Sequence, residues 1–537
     1  MKLRNQNLSD PFFAEKGYLL PQYDRNQMIQ KTKESPTWVH MGAGNIFRSF
    51  IAQAAQDMLD CGRMKTGIIV SEGFDYEILD KAYRPFDNLC VNVILKPDGG
   101  ITKSVVGSIA ESQVMDPQGA DWARLQQIFS APSLQLVSFT ITEKGYNLKD
   151  AHGAYLPAVL ADFQAGPDAP QTYLGKVAAL CYTRYLAGQL PLALVSMDNC
   201  SHNGKRLMDA VCDFAKRWSG NRTAEAEFFT YISGSGKVTF PWTAIDKITP
   251  RPDVSVQDTL IADGLEDVRP VETARHTFVA PFVNAEQTQY LIVEDSFPNG
   301  HPDLRAEGVF FGSRETVEKF EQMKVCTCLN PLHTCLAVLG CMMKYDRISE
   351  EMKNSDLRTL IERIAFEESM PVVVDPGIVE PMKFAKQVIE ERLPNPFIPD
   401  TPQRIACDTS QKLSIRFGNT IKAYAADEKL DVLSLKYIPF TLAAWCRYLL
   451  AVDDAGDAFT PSQDPMLETV QAYVKDVRLG RDVDCHEILQ PILSNDTIFG
   501  VDLYAVGLAP LVERYFARLI AGPGAIADTL RAVIAER

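Results

Sequence analysis

Short apolar runs recur through the first 300 residues and alternate with stretches of helical periodicity. The runs, which are rich in β-branched residues, are PTWVHMG, TGIIVS, LCVNVIL, LQLVSFTIT, LALVSMD and QYLIVED. Runs of this length and composition predict β-strands. Helical stretches such as FRSFIAQAAQDML lie between several of them. This alternation favours an α/β domain with a largely parallel sheet.

The pattern changes after about residue 300, where helical periodicity dominates. Examples are SRETVEKFEQMKV, HTCLAVLGCMMKY, MKFAKQVIEERL and IPFTLAAWCRYLLAV. The segment DSFPNGHPDLRAEG, rich in proline, glycine and aspartate, marks the junction. We therefore predict an α/β domain over residues 1–300 and a mostly α-helical domain over residues 301–537.

Composition and charge exclude several classes of partner. The 537-residue chain carries a formal net charge of −15, whereas phosphate backbones bind basic surfaces, so nucleic acid is not an expected partner. No apolar run approaches the length of a membrane span, and the first residues lack the apolar core of a secretory signal. The twelve cysteines contain no CxxC pair and do not resemble a disulfide framework. We expect a soluble, cytoplasmic protein.

The turn after the first of these predicted strands, in WVHMGAGNIFR, is a candidate nucleotide site. Gly42 and Gly44 stand between an apolar strand and an amphipathic helix that carries Arg48. A glycine pair at such a turn lets the backbone approach a pyrophosphate at the helix N-terminus. The full fingerprint has a third glycine where this chain has Phe47, so a plain tight turn is the alternative.

Two acids follow the next strand-like run. In TGIIVSEGFD, Glu72 and Asp75 stand where a carboxylate accepts hydrogen bonds from an adenosine ribose. This placement favours NAD over NADP, because carboxylates repel a 2′-phosphate. The alternative is that both acids are solvated loop charges.

A lysine stands among apolar residues in EQMKVCTCLNPLHTCLAVLG. Ser313 is a candidate N-cap for the preceding helix, and Lys324 follows Val317 by seven residues and Phe320 by four. Lys324 therefore lies on the apolar face of that helix. Desolvation there would lower its pKa toward that of a general base. The alternative is a lysine whose ammonium group reaches solvent.

The same segment contains an asparagine, a histidine and several thiols. Asn330 is predicted as the N-cap of the next helix and Pro331 as its first residue, with His333 in the first turn. Cys326, Cys328 and Cys335 do not have a recognised zinc spacing with His333. Buried free thiols are the favoured interpretation, and we predict no metal site.

Six motifs together resemble one family. HMGAGNIFR, TITEKGY, SMDNCSHNG, AIDKITP, YLIVEDSF and LNPLH occur in the order found in the polyol-specific long-chain dehydrogenases. That family includes mannitol 2-dehydrogenase, fructuronate reductase (D-mannonate oxidoreductase) and tagaturonate reductase. The resemblance extends from about residue 38 to beyond residue 420.

The resemblance implies a fold, a reaction and a set of site residues. The fold is an N-terminal Rossmann-type nucleotide-binding domain followed by a mostly helical domain, and the reaction is metal-free hydride transfer. Lys324 is implied as the general base or acid, and Asn199 and Asn330 as amide donors to the reacting oxygen. His333 is implied to bind substrate. Further implied contacts are Asp246, Arg404 and Lys412 with substrate, and Gly42, Gly44, Asn45, Arg48, Glu72 and Asp75 with cofactor.

One spacing departs from the resemblance. In the better-known members the lysine precedes the asparagine by five residues, whereas Lys324 and Asn330 are six apart. The leading hypothesis is an NAD-dependent oxidoreductase, with NADP less favoured, that interconverts fructuronate and D-mannonate. The alternatives are mannitol 2-dehydrogenase, another polyol or ketose dehydrogenase, or a non-catalytic sugar- or nucleotide-sensing protein. The expected partner is a sugar acid or polyol, and the expected assembly is a monomer or a small homo-oligomer.

Overall fold

A computed structural model describes residues 1–536. The chain forms two compact units. The first contains Met1–Lys96 and Gly100–Val317, and the second contains Pro97–Gly99 and the chain from Glu318 onward. The predicted order of an α/β unit followed by a helical unit is confirmed. The compact units divide at 317/318, and the last strand, Val309–Gly312, pairs with Tyr290–Glu294 of the first unit.

The strands all belong to the first unit, in the part of the chain that the structure describes. In chain order they are β1 (Tyr18–Leu19), β2 (Trp38–Met41), β3 (Ile68–Glu72), β4 (Cys90–Leu95), β5 (Ile101–Val106), β6 (Ile109–Val114), β7 (Leu136–Phe139), β8 (Leu192–Ser196), β9 (Val238–Thr239), β10 (Thr243–Asp246), β11 (Val271–Glu272), β12 (Phe278–Val279), β13 (Phe282–Glu286), β14 (Tyr290–Glu294) and β15 (Val309–Gly312).

A six-stranded parallel sheet organises this unit. Its strand order is β6-β3-β2-β7-β8-β9. The central strands are buried along their whole length, and apolar cores cover both faces, as parallel sheets require. The carboxyl ends of β2, β3, β7 and β8 therefore meet at one edge, where open α/β sheets bind their ligands.

Helices and smaller sheets complete the first unit. The smaller sheets have the orders β1-β5-β4-β13, β10-β14-β15 and β11-β12. The helices are α1 (Pro11–Glu15), α2 (Arg25–Glu34), α3 (Ala52–Asp60), α4 (Glu77–Ala82), α5 (Trp122–Ser130), α6 (Pro157–Ala165), α7 (Tyr173–Leu186), α8 (Asn203–Gly220), α9 (Glu227–Ser233) and α10 (Val254–Asp263).

The second unit is built from helices. They are α11 (Arg314–Met323), which crosses the division between units, α12 (Asn330–Met342), α13 (Ile348–Glu351), α14 (Ser355–Arg363), α15 (Pro381–Gln387), α16 (Pro402–Ile405), α17 (Asn419–Ala426), α18 (Tyr437–Tyr448), α19 (Leu467–Val474), α20 (Cys485–Leu493), α21 (Asp496–Phe499), α22 (Ala509–Leu519) and α23 (Ala525–Ala535). Several of these helices adjoin π-helical turns, one of which is Lys324–Cys328.

The helical run Arg314–Met342 is the one described stretch long and apolar enough to cross a membrane. Within its most apolar window, 83% of the residues are buried inside the protein. Packing therefore explains the apolar character of this run. Its start is the predicted one, since the Ser313 hydroxyl accepts a hydrogen bond from the Thr316 amide (3.2 Å).

Candidate active site

The turn after β2 requires one glycine and leaves space above the other. Gly42 has φ of +110°, and a Cβ there would lie 2.2 Å from the Thr140 carbonyl oxygen. At Gly44 a Cβ would meet no heavy atom within 4 Å. The helical run that contains α3 begins at residue 45. A backbone turn that opens to free space at a helix N-terminus fits a dinucleotide pyrophosphate.

The acids at the carboxyl end of β3, Glu72 and Asp75, are buried rather than solvated. Glu72 accepts hydrogen bonds from the Ala43 amide (2.9 Å) on one carboxylate oxygen and from the Phe74 amide (2.7 Å) on the other. Asp75 accepts a hydrogen bond from the Thr273 hydroxyl (2.6 Å). The Glu72 carboxylate thus links the glycine turn, through the Ala43 amide, to the end of β3. Because each carboxylate oxygen has two lone pairs, Oε2 of Glu72 keeps an acceptor position for a ribose hydroxyl.

Arg48 is held inside the first unit. Its guanidinium donates to the Ala280 carbonyl (2.6 Å) and to Oδ1 of Asn45 (2.9 Å), and it lies 5.5 Å from the centre of the Tyr83 ring. The side chain is buried. Arg48 therefore orients Asn45, the residue that follows Gly44 at the turn.

Hydrogen bonds among polar side chains join β2 to β7. The indole N–H of Trp38 donates to the Ser138 hydroxyl (2.7 Å), whose oxygen lies 2.7 Å from Nδ1 of His40. Nε2 of His40 lies 2.9 Å from the Thr140 hydroxyl oxygen. Burial lowers the pKa of His40 to about 3. The neutral ring thus fixes Thr140 beside the glycine turn.

Asn203 links two of the predicted site residues. Its amide donates to the carbonyl of Asp198 (3.0 Å), which directly precedes Asn199, and to the Thr243 carbonyl (2.9 Å) at the start of β10. That strand ends at Asp246, which is buried. Asn199 itself is exposed at the carboxyl end of β8. Sequence reasoning missed Asn203, although it stands inside the motif SMDNCSHNG.

Lys324 is buried and begins a π-helical turn. It is 4% exposed, and Val317 and Phe320 are 1% and 0% exposed, so the predicted apolar face is confirmed. The Leu329 amide donates to the Lys324 carbonyl (3.1 Å), which closes an i→i+5 turn. Such a turn holds one residue more than an α-helical turn. It therefore accounts for a spacing of six rather than five positions from Lys324 to Asn330.

Asn330 is the first residue of α12 rather than its N-cap. Leu329 occupies the cap position, and no side chain caps the helix. The Asn330 carboxamide forms no hydrogen bond with residues 1–536 and remains available as a donor. The nearby thiols Cys326, Cys328 and Cys335 are buried and free, as predicted.

His333 and Arg404 share one carboxylate. Nε2 of His333 lies 3.2 Å from Oδ2 of Asp400, off the direction of the N–H bond, so the contact is chiefly electrostatic. Arg404 is 61% exposed and pairs with the other oxygen of Asp400. Burial lowers the pKa of His333, and Asp400 opposes that change. Sequence reasoning missed Asp400; its i,i+4 spacing from Arg404 was the available signal.

Arg416 is a cation without an acidic partner in the described chain. Its guanidinium donates to the Thr334 hydroxyl, and burial lowers its pKa to about 10. Lys412 donates to the Cys407 carbonyl. Burial lowers the pKa of Lys412, and the charge of Arg416 lowers it further. The charge of Arg416 also lowers the pKa of His333. Arg416 therefore lies close enough to both Lys412 and His333 for its charge to act on them.

Two family profiles cover most of the chain. The mannitol dehydrogenase Rossmann domain matches residues 36–305, and the mannitol dehydrogenase C-terminal domain matches residues 316–514. Among solved structures, a substrate-free D-sorbitol dehydrogenase aligns with a TM-score of 0.79 at 24% identity, covering 98% of this chain and 99% of that one. At this identity the structural likeness establishes the fold.

Two relatives that cover most of this chain support the same family. D-mannonate oxidoreductase of Thermotoga maritima is 48% identical over 99% of this chain and 99% of that protein. Mannitol 2-dehydrogenase of Cereibacter sphaeroides is 29% identical over 84% of this chain and 87% of that protein. The chain therefore belongs to the mannitol dehydrogenase family.

Proposed function

We propose that this protein is an NAD-dependent oxidoreductase of the cytoplasm that interconverts fructuronate and D-mannonate. The similarity to the Thermotoga maritima D-mannonate oxidoreductase supports this substrate pair. The observation that favours a sugar acid over a polyol is the unpaired, partly desolvated guanidinium of Arg416. A cation held in this state is stabilised by an anion, and a uronate supplies a carboxylate where a polyol supplies only hydroxyls.

In this proposal the dinucleotide binds at the turn after β2. The open space over Gly44 receives the pyrophosphate, and Glu72 and Asp75 accept hydrogen bonds from the adenosine ribose. Two buried carboxylates repel a 2′-phosphate, which favours NAD over NADP. When bound, the nicotinamide supplies or accepts the hydride.

Protein side chains handle the proton and the charge on the substrate oxygen. Lys324 removes the hydroxyl proton during alcohol oxidation and returns it during ketone reduction. The carboxamides of Asn199 and Asn330 donate hydrogen bonds to the developing alkoxide. These donors polarise the carbonyl group, so the proposed reaction needs no metal ion.

The basic residues orient the rest of the substrate. Arg416 binds the carboxylate, while Lys412 and His333 lie close enough for their pKa values to respond to its charge. Arg404 shares Asp400 with His333 and adds positive charge at the same site. Asp246 contacts a substrate hydroxyl. Together these groups select a ligand that combines one negative charge with several hydroxyl groups.

A substrate panel tests the proposal. NADH and NADPH oxidation is followed at neutral pH with fructuronate, tagaturonate, fructose and xylulose. We expect the highest kcat/KM with fructuronate and NADH. A higher kcat/KM with fructose would instead identify a mannitol 2-dehydrogenase, and equal values for NADH and NADPH would contradict the roles of Glu72 and Asp75. NADH binding without turnover of any ketone would indicate a sensing protein.

A further inference from the structure

Thr142 has a backbone conformation that ordinary residues avoid. It follows β7 with φ of 64° and ψ of 160°, a region populated almost entirely by glycine. A β-branched residue is especially disfavoured at positive φ. The Thr142 side chain is exposed, so its own packing does not hold this conformation.

One carboxylate holds the strained segment in place. Asp198 accepts hydrogen bonds from the amide of Ile141 (3.0 Å) on one oxygen and from the amide of Thr142 (2.9 Å) on the other. The Tyr146 hydroxyl also donates to Asp198 (2.5 Å). Burial raises the pKa of Asp198, and these three hydrogen bonds oppose the rise. The carboxylate thus holds two consecutive peptide groups, Thr140–Ile141 and Ile141–Thr142, which lead into the strained residue.

Asp198 is itself fixed by the backbone around it. Its carbonyl accepts hydrogen bonds from the Asn203 amide group (3.0 Å) and from the backbone amide of Cys200 (2.9 Å). The residue is 9% exposed. The strained segment is therefore attached to a rigid part of the first unit, at the carboxyl end of β8.

The strained segment borders the candidate cofactor site. β7 lies between β2 and β8 in the sheet. The Thr140 carbonyl, two residues before Thr142, is the group that excludes a Cβ at Gly42. A change in the direction of the backbone at Thr142 would therefore alter the wall next to the glycine turn.

We propose that Asp198 is a positioning residue that keeps the Ile141–Thr142 segment strained, and that this conformation shapes the cofactor site beside Gly42. The inference rests on the proposed function only in taking the ligand at this turn to be a dinucleotide. Asp198 acts through the backbone that it holds and makes no contact with substrate in this proposal.

NADH affinity of the full-length protein is the first test, measured by nucleotide fluorescence without substrate. Asp198→Asn should weaken NADH binding by about tenfold or more, because the released segment relaxes from its strained conformation. Thr142→Gly in the same background should restore most of the affinity, since glycine adopts the native φ and ψ without strain. Asp209→Asn, at an exposed ion pair on α8, is the matched control and should leave affinity unchanged. If Asp198→Asn and the double variant Asp198→Asn/Thr142→Gly lose the same NADH affinity, the proposal is overturned. Unchanged NADH affinity in Asp198→Asn would also overturn it.

Thermal unfolding tests the strain without the cofactor, even if Asp198→Asn fails to fold. At an unstrained exposed position, glycine is less stable than alanine. We expect Thr142→Gly to melt at or above the temperature of Thr142→Ala, and a clearly lower temperature would show that no strain is present. If the wild type binds NADH and turns over no keto-uronate, the proposed substrate is wrong while both of these measurements remain valid.

Discussion

Replacing Arg416 by methionine should separate substrate selection from folding. Methionine keeps the length of the side chain and removes its charge. In the free protein this guanidinium is desolvated and has no acidic partner among the described residues. A desolvated charge without a charged partner costs free energy, and the substitution removes that cost. We therefore expect the free energy of unfolding in urea to stay the same or rise.

The effect on catalysis should be large and selective. Losing one partner of a desolvated charge pair costs about 2–4 kcal/mol. At about 1.4 kcal/mol for each factor of ten, kcat/KM for fructuronate should fall about 30- to 700-fold. Activity with fructose, which has no carboxylate, should change much less. The ratio of the two kcat/KM values is therefore the decisive quantity.

The assay follows NADH absorbance with both substrates, and urea unfolding is measured on the same preparations. Arg531→Met is the matched control, because Arg531 is exposed in α23 and pairs with Asp528. Arg531→Met should change neither the ratio of the two kcat/KM values nor the free energy of unfolding. If Arg416→Met lowers kcat/KM equally for fructuronate and fructose, or destabilises the protein strongly, the assignment of Arg416 to the carboxylate is wrong.

Three further predictions concern the proton, the metal and pH. Lys324→Ala should lower kcat for alcohol oxidation by about two to four powers of ten with little change in NADH affinity, and an added primary amine should restore part of the rate; a raised KM with normal kcat would make Lys324 a binding residue instead. Exhaustive chelation should leave activity unchanged, and a loss that only zinc reverses would contradict the proposed mechanism. The pKa of His40 is lowered to about 3, so its contribution to stability is complete above about pH 6.5 and is lost as pH falls toward 3; at pH 5 the loss should be about 2 kcal/mol. Urea unfolding of the wild type and His40→Gln should show this pH dependence only in the wild type.

Local patterns in the sequence were sufficient to predict several features of the fold and of the candidate site. Alternating apolar runs and helical stretches predicted the α/β unit, because burial on both faces of a parallel sheet requires such runs. The i+4 and i+7 spacing from Phe320 and Val317 placed Lys324 on a buried face. The hydroxyl of Ser313 caps the helix where the sequence indicated. The last two of these predictions depend on residues within two turns of one another.

Features that depend on tertiary contacts or on subtle backbone choices were missed. Asp400 meets His333 across 67 positions of the chain, and Asn203 meets Thr243 across 40. No periodicity indicates such pairs. The strand β15 was also missed, because it looks like a short apolar segment until its pairing with β14 is known. The turn at Lys324 was also missed, since i→i+4 and i→i+5 bonding use the same residue types.

That π-helical turn bears on how related chains are found. A π-helical turn accommodates one extra residue locally, so the helix that follows keeps its structure. The segment can therefore be one residue longer without loss of its fold. A search pattern that demands a fixed interval between the lysine and the asparagine passes over chains like this one. A pattern with an optional extra residue would recover them.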